Sequence, residues 1–333
     1  MYGLRCDLVA IPLNLSSPCL RRERVLTGDG HPFTYRMGGR FGVFLTGWAS
    51  LLATLADLSR ISTTIFGGIY QMKVSLLDDL RRQNPIVFNI SNFVTVQDVA
   101  NGINAIGASP IMSEEVDEAD EMVQMSQAVC LNLGAFTTPQ VHQIKVTGQL
   151  ANQYHKPLVV DPVAVGAVKY RAQVAAELFQ AFQPDVLRGN AGEIAALAGI
   201  NWQAKGIDAG EGAADLVTIA ETCAKKQKCT VILSGPTDVI TDGTRTVQVI
   251  NGTTLFQTHV GSGDMLSSIV AAFCAIEDDY FEAAQTACLV FAAIGQRVAQ
   301  ADPQMGAGTF IIKLMDALQQ TTVAQIEAVA AYE

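Results

Sequence analysis

The sequence predicts an α/β fold over residues 72–333, as one domain with a mainly parallel central sheet and helices on both faces. Three observations predict it. Short β-rich runs alternate with helical patterns from residue 86 onward, the signature of strand–helix–strand units. Runs such as Ala128-Val129-Cys130-Leu131-Asn132-Leu133 are apolar almost throughout, as strands covered on both faces are. No linker, internal repeat or low-complexity tract interrupts residues 72–333.

The elements follow in order. Ile86-Val87-Phe88-Asn89-Ile90 reads as a strand. The next helix places Val96, Val99, Ala100, Ile103 and Ile106 on one face at helical spacing. Ala128–Leu133 is the second strand, and Thr138-Pro139 opens a helix, with Thr138 as cap and Pro139 at the first helical position. Strand Leu158–Asp161, a helix from about Ala172, strand Asp185–Leu187, helix Ala191–Ala198 stopped by Gly199, and strand Thr230–Leu233 come next. Val239–Thr241 and Thr246–Val249 flank Asp242-Gly243, a type I′ hairpin signal. The end is helical, at about Asp264–Ile276, Phe281–Gln300 and Thr309–Leu318. In sheets of this kind ligands collect at the carboxyl ends of the strands.

Composition narrows the function classes. The chain has 333 residues, 49% of them hydrophobic and 16% charged, enough for a sizeable core. A net charge of −10 argues against a nucleic-acid partner, which needs clustered Lys and Arg. The seven cysteines are odd in number and form no C-x-x-C pair, so they read as buried reduced thiols in a cytoplasmic protein. The four histidines show no metal-ligand spacing.

Residues 1–71 differ from the rest, with seven Arg and no Lys. The uncharged stretch Phe41–Ala56 has 16 residues, starts too late for a signal peptide and is short for a membrane span, so no membrane partner is expected. Met72-Lys73-Val74-Ser75 then reads like a natural start, so residues 1–71 are expected to be an extension outside the fold, a possible start-site artefact.

The sharpest chemical feature is Gly261-Ser262-Gly263-Asp264, a glycine turn before an Ala- and Val-rich helix. Glycines let N–H groups approach a ligand closely, and a helix start adds unpaired donors and positive potential. Gly261, Ser262 and Gly263 would form an anion hole for a phosphoryl group, with Asp264 at its mouth as the base. The helix dipole is expected to keep Asp264 ionised. The same residues also make an ordinary helix start.

Arg188-Gly189-Asn190-Ala191-Gly192-Glu193 follows a strand and opens a helix. Arg188 is suited to a phosphate. Asn190 and Glu193 share one helix face and suit a magnesium ion held mostly through water, and they equally fit a capping box. Asp161, at a strand end before Pro162, could assist the metal, and the Ser234 hydroxyl could meet a phosphate or ribose. Asp161 is also compatible with a plain Asp-Pro turn. Gly306-Ala307-Gly308-Thr309-Phe310 is a second glycine turn, or an ordinary helix–helix loop.

In this order the motifs resemble the hydroxyethylthiazole kinase family of the ribokinase-like superfamily. The matching stretches are Asn104–Met112, Leu131–Gly134, Asp161–Tyr170, Leu187–Ala198, Gly206–Gly212, Val260–Asp264 and Gly306–Phe310, covering roughly residues 74–320. The resemblance implies ATP-dependent phosphorylation of 5-(2-hydroxyethyl)-4-methylthiazole in thiamine salvage, with Mg²⁺, in a homotrimer whose substrate sites lie at subunit interfaces. It implies that Met112 and the Gly261 backbone contact the thiazole, that Arg188 and Ser234 contact ATP, and that Asn92 lies near the substrate pocket. This chain departs from the family at Asp264, where those kinases commonly carry Cys and the wider superfamily carries Asp. Three rival readings are an ATP- or ADP-dependent NAD(P)H-hydrate dehydratase, a hydroxymethylpyrimidine kinase and a non-catalytic nucleotide-binding protein.

Overall fold

The computed structural model describes residues 71–202 and 216–333. The expected N-terminal extension and the Gly206–Gly212 motif therefore lie outside the described residues, apart from Gln71.

The unit Gln71–Glu333 is built on an eight-stranded sheet. In chain order the elements are α1 (Leu76–Gln83), β1 (Ile86–Ile90), α2 (Val96–Ile106), β2 (Ser109–Met112), α3 (Ala119–Met125), β3 (Ala128–Asn132), α4 (Thr138–Gln153), β4 (Leu158–Asp161) and α5 (Lys169–Ala181). Then come β5 (Val186–Asn190), α6 (Ala191–Ala198), α7 (Leu216–Gln227), β6 (Thr230–Ser234), β7 (Asp238–Thr241), β8 (Thr246–Val249), α8 (Ser262–Cys274), α9 (Tyr280–Ala301), α10 (Ala307–Gln320) and α11 (Val323–Glu327). The strand order is β2-β1-β3-β4-β5-β6-β7-β8. All pairings from β2 to β6 are parallel, and β7 and β8 close the sheet antiparallel.

Alternation along each strand divides the core. Val87, Cys130, Val159, Val186 and Ile232 face α2, α8, α9 and α10. Phe88, Val129, Leu131, Val160, Leu187 and Val231 face α3 to α7. Both strand faces are therefore buried, which is why these runs are so apolar. The chain reverses direction across the sheet around β1, which lies between β2 and β3. That is the topological switch point, where strand ends open into a crevice.

The structure corrects several expectations in detail. The cap of α4 is Thr137, which accepts the Gln140 N–H, so Thr138 is already helical. Helix α5 begins at Lys169, and β5 runs on to Asn190, which puts Arg188 inside the strand. The β7–β8 connection is not a two-residue type I′ turn. It spans Asp242 to Arg245, and only Gly243 has a positive φ, at 89°. The Asp242 carboxylate organises it by accepting the N–H groups of Thr244 and Arg245 at 2.8 and 2.7 Å, a stronger local determinant than the Asp-Gly dipeptide. Strand β2 and helices α3, α7 and α11 are elements that the sequence pattern does not announce. The five described cysteines are free and buried, as expected. No helix among the described residues is long and apolar enough to cross a membrane.

Candidate active site

The glycine turn and the strand ends meet on one side of the sheet. Gly261 caps α8 with φ 106° and ψ −7°, a backbone state that disfavours any side chain. A Cβ there would meet Thr95 Cγ2 at 2.7 Å, so α2 and the turn approach each other closely. A Cβ at Gly263 would collide with the Arg188 guanidinium, which therefore lies directly over the helix start. Met265 N–H makes the first in-helix bond of this turn, to Gly261 O at 2.9 Å. Gly263 and Asp264 thus present first-turn N–H groups beside a fixed positive charge.

Asp264 is only 5% exposed. Its Oδ2 accepts from Thr95 Oγ1 at 2.6 Å and from Asn92 Nδ2 at 3.4 Å. Its Oδ1 is buried and has no partner among the described residues. Burial pushes the carboxyl up to about 7, and the nearby Asp161 carboxylate adds to this, while Thr95, Ser91 and Arg188 act in the opposite direction. The expectation that Asp264 is held fully ionised is thus corrected, because burial leaves the carboxyl only partly ionised near neutral pH.

Arg188 organises the floor. Its Nε donates to Ser234 Oγ at 2.9 Å, and its Nη1 lies 3.5 Å from Asp161 Oδ2. Ser267 Oγ, from α8, donates to the same Asp161 oxygen at 3.0 Å. Asp161 is 2% exposed, and burial raises it to about 6 against the opposing pull of Arg188. Adjacent parallel strands put Asp161, Arg188 and Ser234 side by side because β4, β5 and β6 are neighbours.

Asn190 and Glu193 form the capping box. Asn190 Oδ1 accepts the Glu193 N–H at 3.0 Å, and Glu193 Oε2 accepts the Asn190 N–H at 2.8 Å. Glu193 Oε1 also accepts the Ala164 N–H at 2.7 Å, tying α6 to the loop after Asp161. Each oxygen keeps a second lone pair, so the pair fits a magnesium ion held through its waters. A cage of direct ligands is absent: no group of three or more His, Cys, Asp or Glu among the described residues is arranged to hold a metal.

At the carboxyl ends of β1 and β2 a pocket of about 240 Å³ is lined by Asn89, Ser91, Phe93, Val96, Met112 and Gln140, among others. Met112 ends β2, and Asn92 sits in the loop after β1. The Asn92 carboxamide is taken up within the protein, since Nδ2 reaches Asn132 Oδ1 at 3.0 Å and Oδ1 accepts the Val94 N–H at 3.0 Å. The Gly306 turn opens α10 with an ordinary φ of −84°.

Sequence reasoning did not single out Ser91, Thr95, Asn132 or Ser267. Thr95 had a signal, as a Thr just before an amphipathic helix, but that signal points to a cap. Nothing local marks Ser267, whose neighbours are those of any buried helix.

The comparisons with known proteins agree with this geometry. The model of the "Hydroxyethylthiazole kinase family" matches residues 77–324. A hydroxyethylthiazole kinase of Levilactobacillus brevis is 76% identical over 262 residues, which are 79% of this chain and 100% of that protein. One of Lactiplantibacillus plantarum is 64% identical over 260 residues, 78% of this chain and 99% of that protein. Among solved structures, hydroxyethylthiazole kinase from Pyrococcus horikoshii OT3 superposes with a TM-score of 0.71 at 31% identity, covering 78% of this chain and 97% of that one. A ribokinase-like superfamily protein from Enterococcus faecalis V583, at 13% identity and a TM-score of 0.54, shares the fold. The buried carboxylate at a glycine-led helix start, the arginine of β5 and these matches together assign the chain to the hydroxyethylthiazole kinase family, a family of phosphotransferases.

Proposed function

We propose that this chain transfers the γ-phosphoryl group of ATP to the hydroxyl of 5-(2-hydroxyethyl)-4-methylthiazole, giving the thiazole phosphate and ADP in thiamine salvage. The observation that carries the mechanism is the buried, unpartnered Oδ1 of Asp264 at the mouth of α8. An acceptor oxygen left without a donor in a desolvated site is costly unless a substrate proton completes it.

The substrate hydroxyl oxygen attacks the γ-phosphorus in line, its proton passes to Asp264 Oδ1, and the bond to the bridging oxygen breaks to release ADP. Arg188 and the first-turn N–H groups of Gly263 and Asp264 stabilise the charge spreading over the phosphoryl oxygens, while the Ser262 N–H is directed to His259 O. Ser234 steadies Arg188 and contributes a hydroxyl to ATP. Met112, the Gly261 backbone and the pocket near Asn92 and Ser91 receive the thiazole ring. Magnesium, where bound through water by Asn190, Glu193 and Asp161, supplies charge neutralisation beside the phosphates.

The same reading includes a homotrimer with substrate sites at subunit interfaces. Phe93, Val94 and Val260 support it, because they are 71%, 56% and 72% exposed and lie beside the pocket or the glycine turn. A cytoplasmic location is supported by the five free, buried thiols.

Residues 72–333 are proposed to act without residues 1–71. A fragment Met72–Glu333 has 333 − 71 = 262 residues, the length matched by the whole of the L. brevis relative. Met72 and Lys73 are already anchored in the unit, through Tyr332 Oη and Glu282 Oε1 at 3.3 and 3.0 Å. The fragment is expected to be soluble with an undiminished kcat/KM, and an inactive or insoluble fragment beside an active full chain would refute this.

The activity itself is tested by ³¹P NMR of a mixture of protein, Mg-ATP and the thiazole alcohol. A new phosphate-ester resonance matched by ADP is expected. ADP with inorganic phosphate and no ester would overturn the kinase reading and favour hydrolysis or a hydrate dehydratase.

A further inference from the structure

Thr95 stands at the start of α2, where a threonine ordinarily caps its own helix. Its side chain makes no cap hydrogen bond. Instead the hydroxyl donates to Asp264 Oδ2 at 2.6 Å, from a position 169 residues away in sequence, and Thr95 is 4% exposed. The hydroxyl oxygen takes no N–H of the α2 start, and its one proton goes to Asp264.

The placement has two consequences. A carboxyl group turns broadly about its last bond, so its plane must be held from outside. Thr95 and Asn92 both donate to Oδ2, at 2.6 and 3.4 Å, and Oδ1 receives neither. The Thr95 methyl also abuts the place where a Gly261 Cβ would stand, at 2.7 Å, so the same side chain sets how near the turn approaches α2.

We infer that Thr95 is a positioning residue for phosphoryl transfer: its hydroxyl claims one oxygen of Asp264, fixes the carboxyl plane and leaves Oδ1 as the oxygen that takes the alcohol proton. This rests on Asp264 being the base. The other groups that act on this carboxyl are Asp161 of β4, which raises it, and Arg188 of β5 and the nearby Ser91 hydroxyl, which lower it, although Ser91 Oγ makes no hydrogen bond of ordinary geometry to either oxygen. Cys130 of β3 also faces it, as a thiol that burial keeps protonated. Asp98 of α2 lies 3.4 Å from His259 Nε2.

The test is Thr95→Val, which keeps the shape and removes the donor, compared with Thr95→Ser and Asp264→Asn. A donor to a carboxylate favours its ionised form, so its loss moves the ascending limb of the kcat–pH profile upward by about one pH unit. At pH 7 kcat is expected to fall about fivefold, with the deficit shrinking by pH 9 and the KM for ATP unchanged. Thr95→Ser is expected to restore the profile. A ¹³C titration of the Asp264 carboxyl in Thr95→Val, read without turnover, is expected to show the same upward movement. An unshifted limb, or an equal loss of kcat at every pH, overturns the proposal. If Asp264→Asn kept full turnover, the base assignment would fall and this proposal with it. If Asp264→Asn were inactive while Thr95→Val titrated like wild type, the Thr95 role alone would fail.

Discussion

Asp264→Asn is expected to lower kcat by about 10²–10⁴ while changing the KM for ATP little. The amide matches the carboxyl in shape and still offers an oxygen to Thr95 and Asn92. It has no lone pair of sufficient basicity where Oδ1 stands, so the alcohol proton has no receiver. Steady-state kinetics with the alcohol and ATP varied separately check this, and undiminished turnover would remove Asp264 from the mechanism. The same variant also has a stability signature. The folded-state pKa of Asp264, about 7, lies above that of a free carboxyl, and Asp161, at about 6, shares the direction. The folded protein therefore holds these protons more tightly than the unfolded chain does. Their contribution is full in acid and is lost as pH rises through about 4 to 7. Thermal melts should show wild type losing more stability than Asp264→Asn between pH 5 and pH 8.

Gly261→Ala carries the second large effect. The residue sits at φ 106°, where an L side chain is strained, and the new Cβ would press on Thr95 Cγ2 at 2.7 Å. Relief requires the turn or α2 to move. Movement displaces the α8 N–H groups and Asp264 together, and a shift of about 1 Å at such a site costs on the order of 10² in rate. A fall in kcat of about 10²-fold is expected, with a stability loss of about 1–3 kcal/mol in chemical denaturation. Wild-type turnover in a folded Gly261→Ala protein would mean that the left-handed turn does not position the chemistry.

Much of this architecture is legible in the residues, for physical reasons. β1, β3, β4, β5 and β6 are covered on both faces, so their apolar runs announce themselves. β2 does not, because it is an edge strand that tolerates Pro110 and is only half-buried. The Asp242-Gly243 pair suggested a tight turn, but the Asp242 carboxylate and Arg245 build a longer one. At the site, Asp161 and Ser234 are readable as strand ends and Gly261–Asp264 as a helix start, while Arg188, which reads as following its strand, lies inside β5. Neighbouring strands then bring them together. The capping reading of Asn190 and Glu193 is realised in full, with Glu193 also bonded to Ala164. What local pattern hides is the partner that comes from far away in the chain. Thr95 looks like a cap until the fold turns it toward Asp264, and Asp264 looks ionised until the fold buries it.

The measurement that bears most directly on the account is the pH dependence of single-turnover phosphoryl transfer in the wild-type protein between pH 5.5 and 9. A buried base raised to about 7 predicts a rate that climbs through neutrality with one inflection near that value and then levels. The same scan on Asp264→Asn should be low and flat. A wild-type rate independent of pH across this range, with chemistry shown to be the limiting step, would contradict a carboxylate at Asp264 that must lose its proton before it can take one from the substrate.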